Sequence, residues 1–272
     1  MSKFTERVRE TPSCREPAYR PAVYLSDEEK AALDEKIGDA SLYMDLTTMR
    51  ELVRQQPENL ELRKALVSGI ASAEFAGIDA FSRKVVEWQE WPVPNTLIMA
   101  MARQTWDEVR HAALAIGLIE SYGGEIGEYP DTLAGGAPPP GVSPQGPLAQ
   151  GYGAGAVEQL MREPVVSLSM TNVSLEGQAL TLFQETSAVG EKIGDSLMAH
   201  CYDYNWADEV THTAIGDYFV KLLTQDNPEE EAKALHVHAM AEAFRSRLTG
   251  EQSEELKEFF AEEMTRASAA LG

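Results

Sequence analysis

Asp107-Glu108-Val109-Arg110-His111 and Asp208-Glu209-Val210-Thr211-His212 are two copies of one pattern, D-E-V-x-H, 101 residues apart. Glu and His three residues apart share a face of an α-helix, so both can reach one metal ion. With 32 Glu and 5 His in the chain, a single E-x-x-H match is near what chance supplies. Two copies of the longer pattern are not. Gln104 and Asn205 each lie four residues before the Glu of their copy, and Ala113 matches Ala214. A further glutamate precedes each copy: Glu74 is 34 residues before Glu108, and Glu176 is 33 before Glu209. The repeated unit is therefore Glu, a spacer, then Glu-x-x-His.

These residues sit on apolar stripes of helical period. The stripe around Glu74 is Val67, Ile70, Ile78 and Phe81; around Glu108 it is Met101, Gln104, His111, Ala115 and Leu118. Around Glu176 it is Val173, Leu180 and Phe183; around Glu209 it is Met198, Cys201, Asn205, His212, Ile215 and Phe219. Each carboxylate takes an apolar place on a core-facing stripe. Four buried carboxylates are prohibitive unless cations neutralise them, and four negative charges with two neutral imidazoles balance two divalent ions.

The elements that must position them are helices, and no segment has strand periodicity. Ser26 with Glu29 fits a capping box opening a helix to about Lys36, and 41–55 fits a second. Pro57 is placed to begin a long helix to Trp91, ended by Pro92 and Pro94. Asn95 caps the next, which stops at Gly123-Gly124. A helix over 166–188 is expected to break at Gly190, and a fourth long helix runs to Leu223. Asn227-Pro228 starts another, and Ser253 a last one. Residues 123–165 are rich in Gly and Pro, with a short helix expected near 156–162; a lid and a solvated linker are both open for this crossover. The expected architecture is all-α: a peripheral helical segment over 1–56, a bundle over 57–224, and a helical extension over 225–272.

Composition narrows the partners. The chain has 272 residues, 43% hydrophobic and 25% charged, which suits a globular core. With 44 acidic against 23 basic side chains the formal charge is -21, which argues against nucleic acid and against an anionic membrane surface. Cys14 and Cys201 are too few for a thiolate metal site or a disulfide framework. There is neither an apolar signal segment nor a membrane-length apolar run, so the expectation is a cytoplasmic protein.

The ligand pattern resembles that of the ferritin-like di-iron carboxylate superfamily: a Glu from each of two helices and Glu-x-x-His from each of the other two. The resemblance covers about 57–224 and implies a ferritin-like four-helix bundle. It implies metal ligation by Glu74, Glu108, His111, Glu176, Glu209 and His212, with the choice of bridging carboxylates left open. It also implies that Asp107 and Asp208, each before a ligand Glu, hold the ligand histidine of the opposite half: Asp107 His212, and Asp208 His111. Two Fe ions with O2 as co-substrate are the expected cofactors; Mn/Fe or di-Mn stays open, since the donors suit both metals.

The superfamily hosts several chemistries. A rubrerythrin would carry Cys-x-x-Cys pairs; a ferritin subunit is about 100 residues shorter; ribonucleotide reductase subunits are longer; a tRNA hydroxylase would be basic. The expectation is an O2-dependent oxygenase or oxidase acting on a small organic substrate through a di-iron-peroxo or high-valent species, with no catalytic residue beyond the ligands. Ile70, Gly77, Ile78, Phe81, Gly177, Leu180 and Phe183, next to the ligands, are candidates to line the substrate pocket, the two glycines leaving room. Gln104 and Asn205 are open between paired buried amides and positions supporting the site. An external ferredoxin or flavin reductase would supply electrons. A homodimer through the terminal helices is an open assembly. A ferroxidase or iron-storage protein and a non-catalytic ferritin-like scaffold are the alternatives. His200, His236 and His238 read as ordinary histidines, Glu185 and Glu191 as surface residues, and Trp106, Trp206, Tyr202, Tyr204 and Cys201 as packing.

Overall fold

The computed structural model of the protein describes residues 27–43, 46–125, 127–130 and 162–248. All regular structure among them is helical. The helices are α1 (Asp27–Ile37), α2 (Leu46–Gln55), α3 (Leu60–Glu87), α4 (Asn95–Ser121), α5 (164–193), α6 (Ser196–Thr224) and α7 (Pro228–Leu248). Short 3-10 turns cover Ala40–Leu42 and Trp88–Glu90. Helix α5 is α-helical over Pro164–Leu168, π-helical over Ser169–Leu175 and α-helical again over Glu176–Ile193. None of the described helices is long and apolar enough to cross a membrane.

The described residues form two compact units: 27–86, 99–130 and 180–208 in the first, and 87–98, 162–179 and 209–248 in the second. In the first unit the core is built by Leu62, Leu66, Ile70, Met101, Leu118, Phe183, Met198 and Tyr202. A polar strap ties α1 and the segment after α4 to the start of α3. Glu128 accepts from Lys36 at 3.0 Å and from Lys64 at 2.8 Å, and Tyr129 donates to Glu61 at 2.7 Å. Tyr43 stacks on Tyr129 and donates to the carbonyl of Pro130. In the second unit α7 packs on the first turn of α5 and on its π segment. There Trp88 is fully buried and donates its indole N–H to the carbonyl of Arg162 at 2.9 Å.

Helix ends follow local chemistry, and two differ from the sequence expectation. Helix α3 begins at Leu60 rather than at Pro57, because the Asn59 side chain accepts from the backbone N–H of Glu61 at 3.2 Å and of Leu62 at 3.4 Å. Gly190 does not break α5. A Cβ there would lie 2.6 Å from the backbone nitrogen of Ala199, so the glycine serves a close approach of α6. The break falls at Gly194, whose φ of +77° favours glycine. Asp195 then caps α6, accepting from the N–H of Met198 at 3.0 Å, and takes Arg63 and Tyr122 as further donors. Helix α4 ends with the N–H of Gly124 on the carbonyl of Ile119, beside Gly123 at φ +77°. The Ser26 cap, residues 131–161 of the crossover, Cys14 and the helix expected from Ser253 lie outside the described residues.

Candidate metal centre

In the first unit α3 supplies Glu74, and α4 supplies Glu108 and His111. One donor atom of each lies within 4.8 Å of the others. Glu74 is 5% exposed, Glu108 3% and His111 fully buried. Nδ1 of His111 lies 3.1 Å from Oε2 of Glu74 and 3.8 Å from Oε2 of Glu108. The α4 stripe explains the placement: Met101, Gln104, Glu108, His111, Ala115 and Leu118 are all buried, as helical period requires. Phe183 meets the His111 ring edge-on at 6.2 Å between centroids and stacks on Tyr202 at 5.7 Å.

The other ring nitrogen of His111 faces a charge network in the same unit. Nε2 lies 3.1 Å from Oδ2 of Asp208. Arg110 Nη2 donates to that same oxygen at 2.8 Å and also to Oδ1 of Asp107. Arg103 lies 3.2 Å from Oδ2 of Asp107 and 3.8 Å from Oδ1 of Asp208. Two guanidinium groups thus alternate with two carboxylates. Burial opposes a charge on His111, but the carboxylates of Asp208, Glu108 and Glu74 outweigh it and raise the ring's pKa. Burial likewise works against the Asp208 carboxylate, but its hydrogen bond with His111 and the nearby Arg110 hold it below the usual range.

The second unit holds a triad of the same composition: Glu176 from α5, and Glu209 and His212 from α6, again within 4.8 Å in donor atoms. Nδ1 of His212 lies 3.0 Å from Oε2 of Glu209. Glu209 is 1% exposed and His212 fully buried, while Glu176 is half-buried. Glu176 is the first residue after the π segment, whose wider turn changes the phase of all that follows. That segment is keyed to α6: Asn172 donates to the carbonyl of His212 at 3.3 Å, and Gly216 admits Asn172, since a Cβ at Gly216 would fall 2.6 Å from the Asn172 Cβ.

Each triad thus offers two carboxylates and one imidazole nitrogen. Two carboxylates in a buried place call for a cation, and one divalent ion per triad balances them. The donors are hard carboxylates with one imidazole and include no soft ligand. A divalent ion bound at Nδ1 of His111 would replace the proton that the surrounding carboxylates otherwise stabilise there.

The remaining predicted residues are placed as follows. Gln104 and Asn205 are buried in the first unit, and Oδ1 of Asn205 has no hydrogen-bond partner there. Ile70, Phe81 and Phe183 are buried in that unit, and Ile78 and Leu180 are half-buried. The room at Gly77 is taken by the carboxylate of Glu108, whereas Gly177, in the second unit, has no atom within 4 Å of its missing Cβ. Trp106, Trp206 and Tyr204 are not core packing: Trp106 is 60% exposed, and Tyr204 lies over the Arg110 guanidinium as a surface cover. Tyr202 is buried. His200 and His238 are exposed and His236 half-buried; Glu185 is exposed and pairs with Arg50.

Sequence reasoning missed Arg103, Arg110 and Asn172. The signal for Arg110 was its place three residues after Asp107, on the same helix face. For Asn172 it was the run Ser167, Ser169, Thr171, Asn172 and Ser174, small polar residues that are all buried. No family model, curated protein or solved structure matches the chain.

Proposed function

We propose that the protein is a non-heme di-iron, O2-dependent oxygenase or oxidase acting on a small organic substrate, built on a ferritin-like four-helix bundle. What supports this most is the duplicated donor set: two Glu, Glu, His triads of identical composition, buried but for the half-buried Glu176, each with its donor atoms within 4.8 Å. Iron bound by these residues supplies the O2-activating redox chemistry. The chain's own part is to hold the ligands and keep water out. Glu74, Glu108, Glu176 and Glu209 supply hard anionic donors able to change binding mode as the metal charge changes. His111 and His212 present Nδ1 toward carboxylates, and Asp208 fixes the orientation of the His111 ring through Nε2. Ile70, Phe81 and Phe183 supply the apolar shielding that a reactive centre needs. Electrons come from a separate ferredoxin or flavin reductase.

The test is metal content by mass spectrometry of freshly purified full-length protein beside Glu108→Ala and His212→Ala. About two irons per chain, reduced in both variants, is the expected result for six ligands. Protein that takes up no metal after anaerobic Fe(II) loading overturns the proposal and leaves a helical scaffold. Iron far above two per chain replaces it with storage.

A further inference from the structure

We propose that two copies of this chain pair through the outward face of α4, with the two helices antiparallel. A helix at a domain surface buries one apolar stripe and turns a polar one to water. Helix α4 has apolar stripes on both sides. The inward one, from Met101 to Leu118, is buried and carries Glu108 and His111. The outward one is Met99, Ala102, Trp106, Val109 and Ala113, at alternating steps of three and four residues. Met99 is 71% exposed and Trp106 60%; Ala102 is exposed, and Val109 and Ala113 are half-buried. Three-four spacing is the seam along which one helix packs on another. Charge favours a second copy as the occupant. At a formal charge of -21, two chains repel over most of their surface. Between Met99 and Ile119 the carboxylates of α4 are Asp107 and Glu108, and both are buried. The outward charges are Arg103 and Arg110, drawn back onto Asp107 at 3.2 Å and Asp208 at 2.8 Å. Tyr204 covers the Arg110 guanidinium. The face is therefore close to neutral, a place where two acidic chains can meet without repulsion and where a strongly charged partner finds no complement.

The order of side-chain sizes selects the antiparallel arrangement. Two antiparallel seams in register set Trp106 against Ala102 of the partner subunit and Met99 against Val109 of the partner subunit. Each larger side chain then meets a smaller one, and the gap between the helices stays even. A parallel pair would set indole on indole and alanine on alanine, too wide at one level and empty at the next. The pairing is isologous, so one stripe serves both copies. The seam is not a by-product of the internal repeat. The positions 101 residues after Met99, Ala102 and Trp106 are His200, Asp203 and Ala207, which break it in α6. From Met99 to Ala113 the seam is about 21 Å long, a small contact that calls for micromolar and concentration-dependent association.

The test is sedimentation velocity of the full chain over a concentration series, beside two variants and a cross-link. Trp106→Glu is expected to raise the dimer dissociation constant at least about 30-fold, the loss of a central hot spot. Leu235→Glu alters an equally exposed apolar residue of α7, 65% exposed, and is expected to leave the constant unchanged. Both positions are exposed, so circular dichroism should show parent-like melts. In a Cys14→Ser, Cys201→Ala background, Met99→Cys with Val109→Cys in one chain should form a disulfide-linked dimer on mild oxidation. Met99→Cys alone should not, because antiparallel helices hold the two cysteines about 15 Å apart along the axis. A parent chain that stays monomeric at about 100 μM overturns the proposal and leaves the face to a different protein. Dissociation by Leu235→Glu but not by Trp106→Glu overturns it in favour of α7. A dimer cross-linked as well by Met99→Cys alone overturns the antiparallel pairing.

Discussion

A Cβ built on Gly77 falls 2.9 Å from Oε2 and 3.1 Å from Cδ of Glu108. What it meets is the far end of a flexible side chain, so the fold can yield cheaply while the ligand cannot keep its place. Gly77→Ala should therefore fold normally, with a melting temperature near that of the parent, and bind metal about 10-fold or more weakly, as changes that reorient ligands do. Gly177→Ala is the control, because its Cβ would enter open space. Equal metal affinity in the two variants would show that Glu108 is not constrained from Gly77.

The triads set stability against function. Glu74 is the nearer carboxylate to Nδ1 of His111, at 3.1 Å against 3.8 Å for Glu108. Both carboxylates are buried beside His111, so Glu108, like Glu74, is a costly charge when no cation is bound. Metal-free Glu108→Gln should melt at or above the temperature of the metal-free parent. It should also lose the upward shift that a divalent ion gives the parent, about 2.7 kcal/mol at one hundred times the dissociation constant. Calorimetric melts with and without Co(II) check both halves. A metal-free variant that melts well below the parent would mean that Glu108 stabilises the fold by itself.

The strap of the first unit has a pH window. Burial would push the Glu128 carboxyl up, but the ammonium groups of Lys64 and Lys36 hold it below the usual range; Lys64 and Tyr129 do the same for Glu61. Burial would pull Lys64 down, but Glu128 and Glu61 raise it. Lowered carboxyls contribute stability that is present above their ordinary pKa of 4.5 and is lost as pH falls through the folded value. A raised ammonium contributes below its ordinary 10.5 and ceases to as pH rises past the folded value. Protection of the α1 amides from exchange, with the intrinsic rate at each pH divided out, should therefore be highest between these limits and should fall on acidification below about pH 4. Lys64→Met should remove most of that dependence and cost about 1.5–3 kcal/mol, the range for hydrogen bonds to charged groups.

The joint between α5 and α6 concentrates stability in two residues. Gly190→Ala would drive a Cβ against backbone at 2.6 Å, where no side chain can give way. Asp195→Ala removes a helix cap together with the acceptor of Arg63 and Tyr122. Each should cost about 2–4 kcal/mol in urea unfolding, without altering the ligands. A loss below about 0.5 kcal/mol, the range of ordinary surface changes, would contradict this account.

Long helices and inward carboxylates were legible because period 3.6 and buried charge are both written residue by residue. The Met101-to-Leu118 stripe shows this, since every residue on it is buried. Gly190 was not legible, because a glycine for close approach and a glycine for a break look alike until the neighbouring helix is known. Pro57 and Asn59 were rivals for one helix start, and side-chain capping settled it in favour of Asn59. The π segment has no period of its own in sequence, and its buried Ser, Thr and Asn read as ordinary polar residues. Arg110 was seen only as the variable letter of D-E-V-x-H; its meaning depends on Asp208 and Tyr204, residues far off in the chain.

Glu108 and Glu209 each lie 13 residues after the first residue of their helix, Asn95 and Ser196. The connections that precede those helices differ, spanning residues 88–94 in one case and only Gly194 and Asp195 in the other. Depth of a ligand is thus counted along the helix, at 1.5 Å per residue and about 20 Å in all, and not through the connection. Length changes in 88–94 are therefore invisible to the metal ligands, whereas the second joint has no slack to vary. The two halves of the duplication have unequal freedom to drift, and insertions can accumulate at the first turn while the second stays fixed.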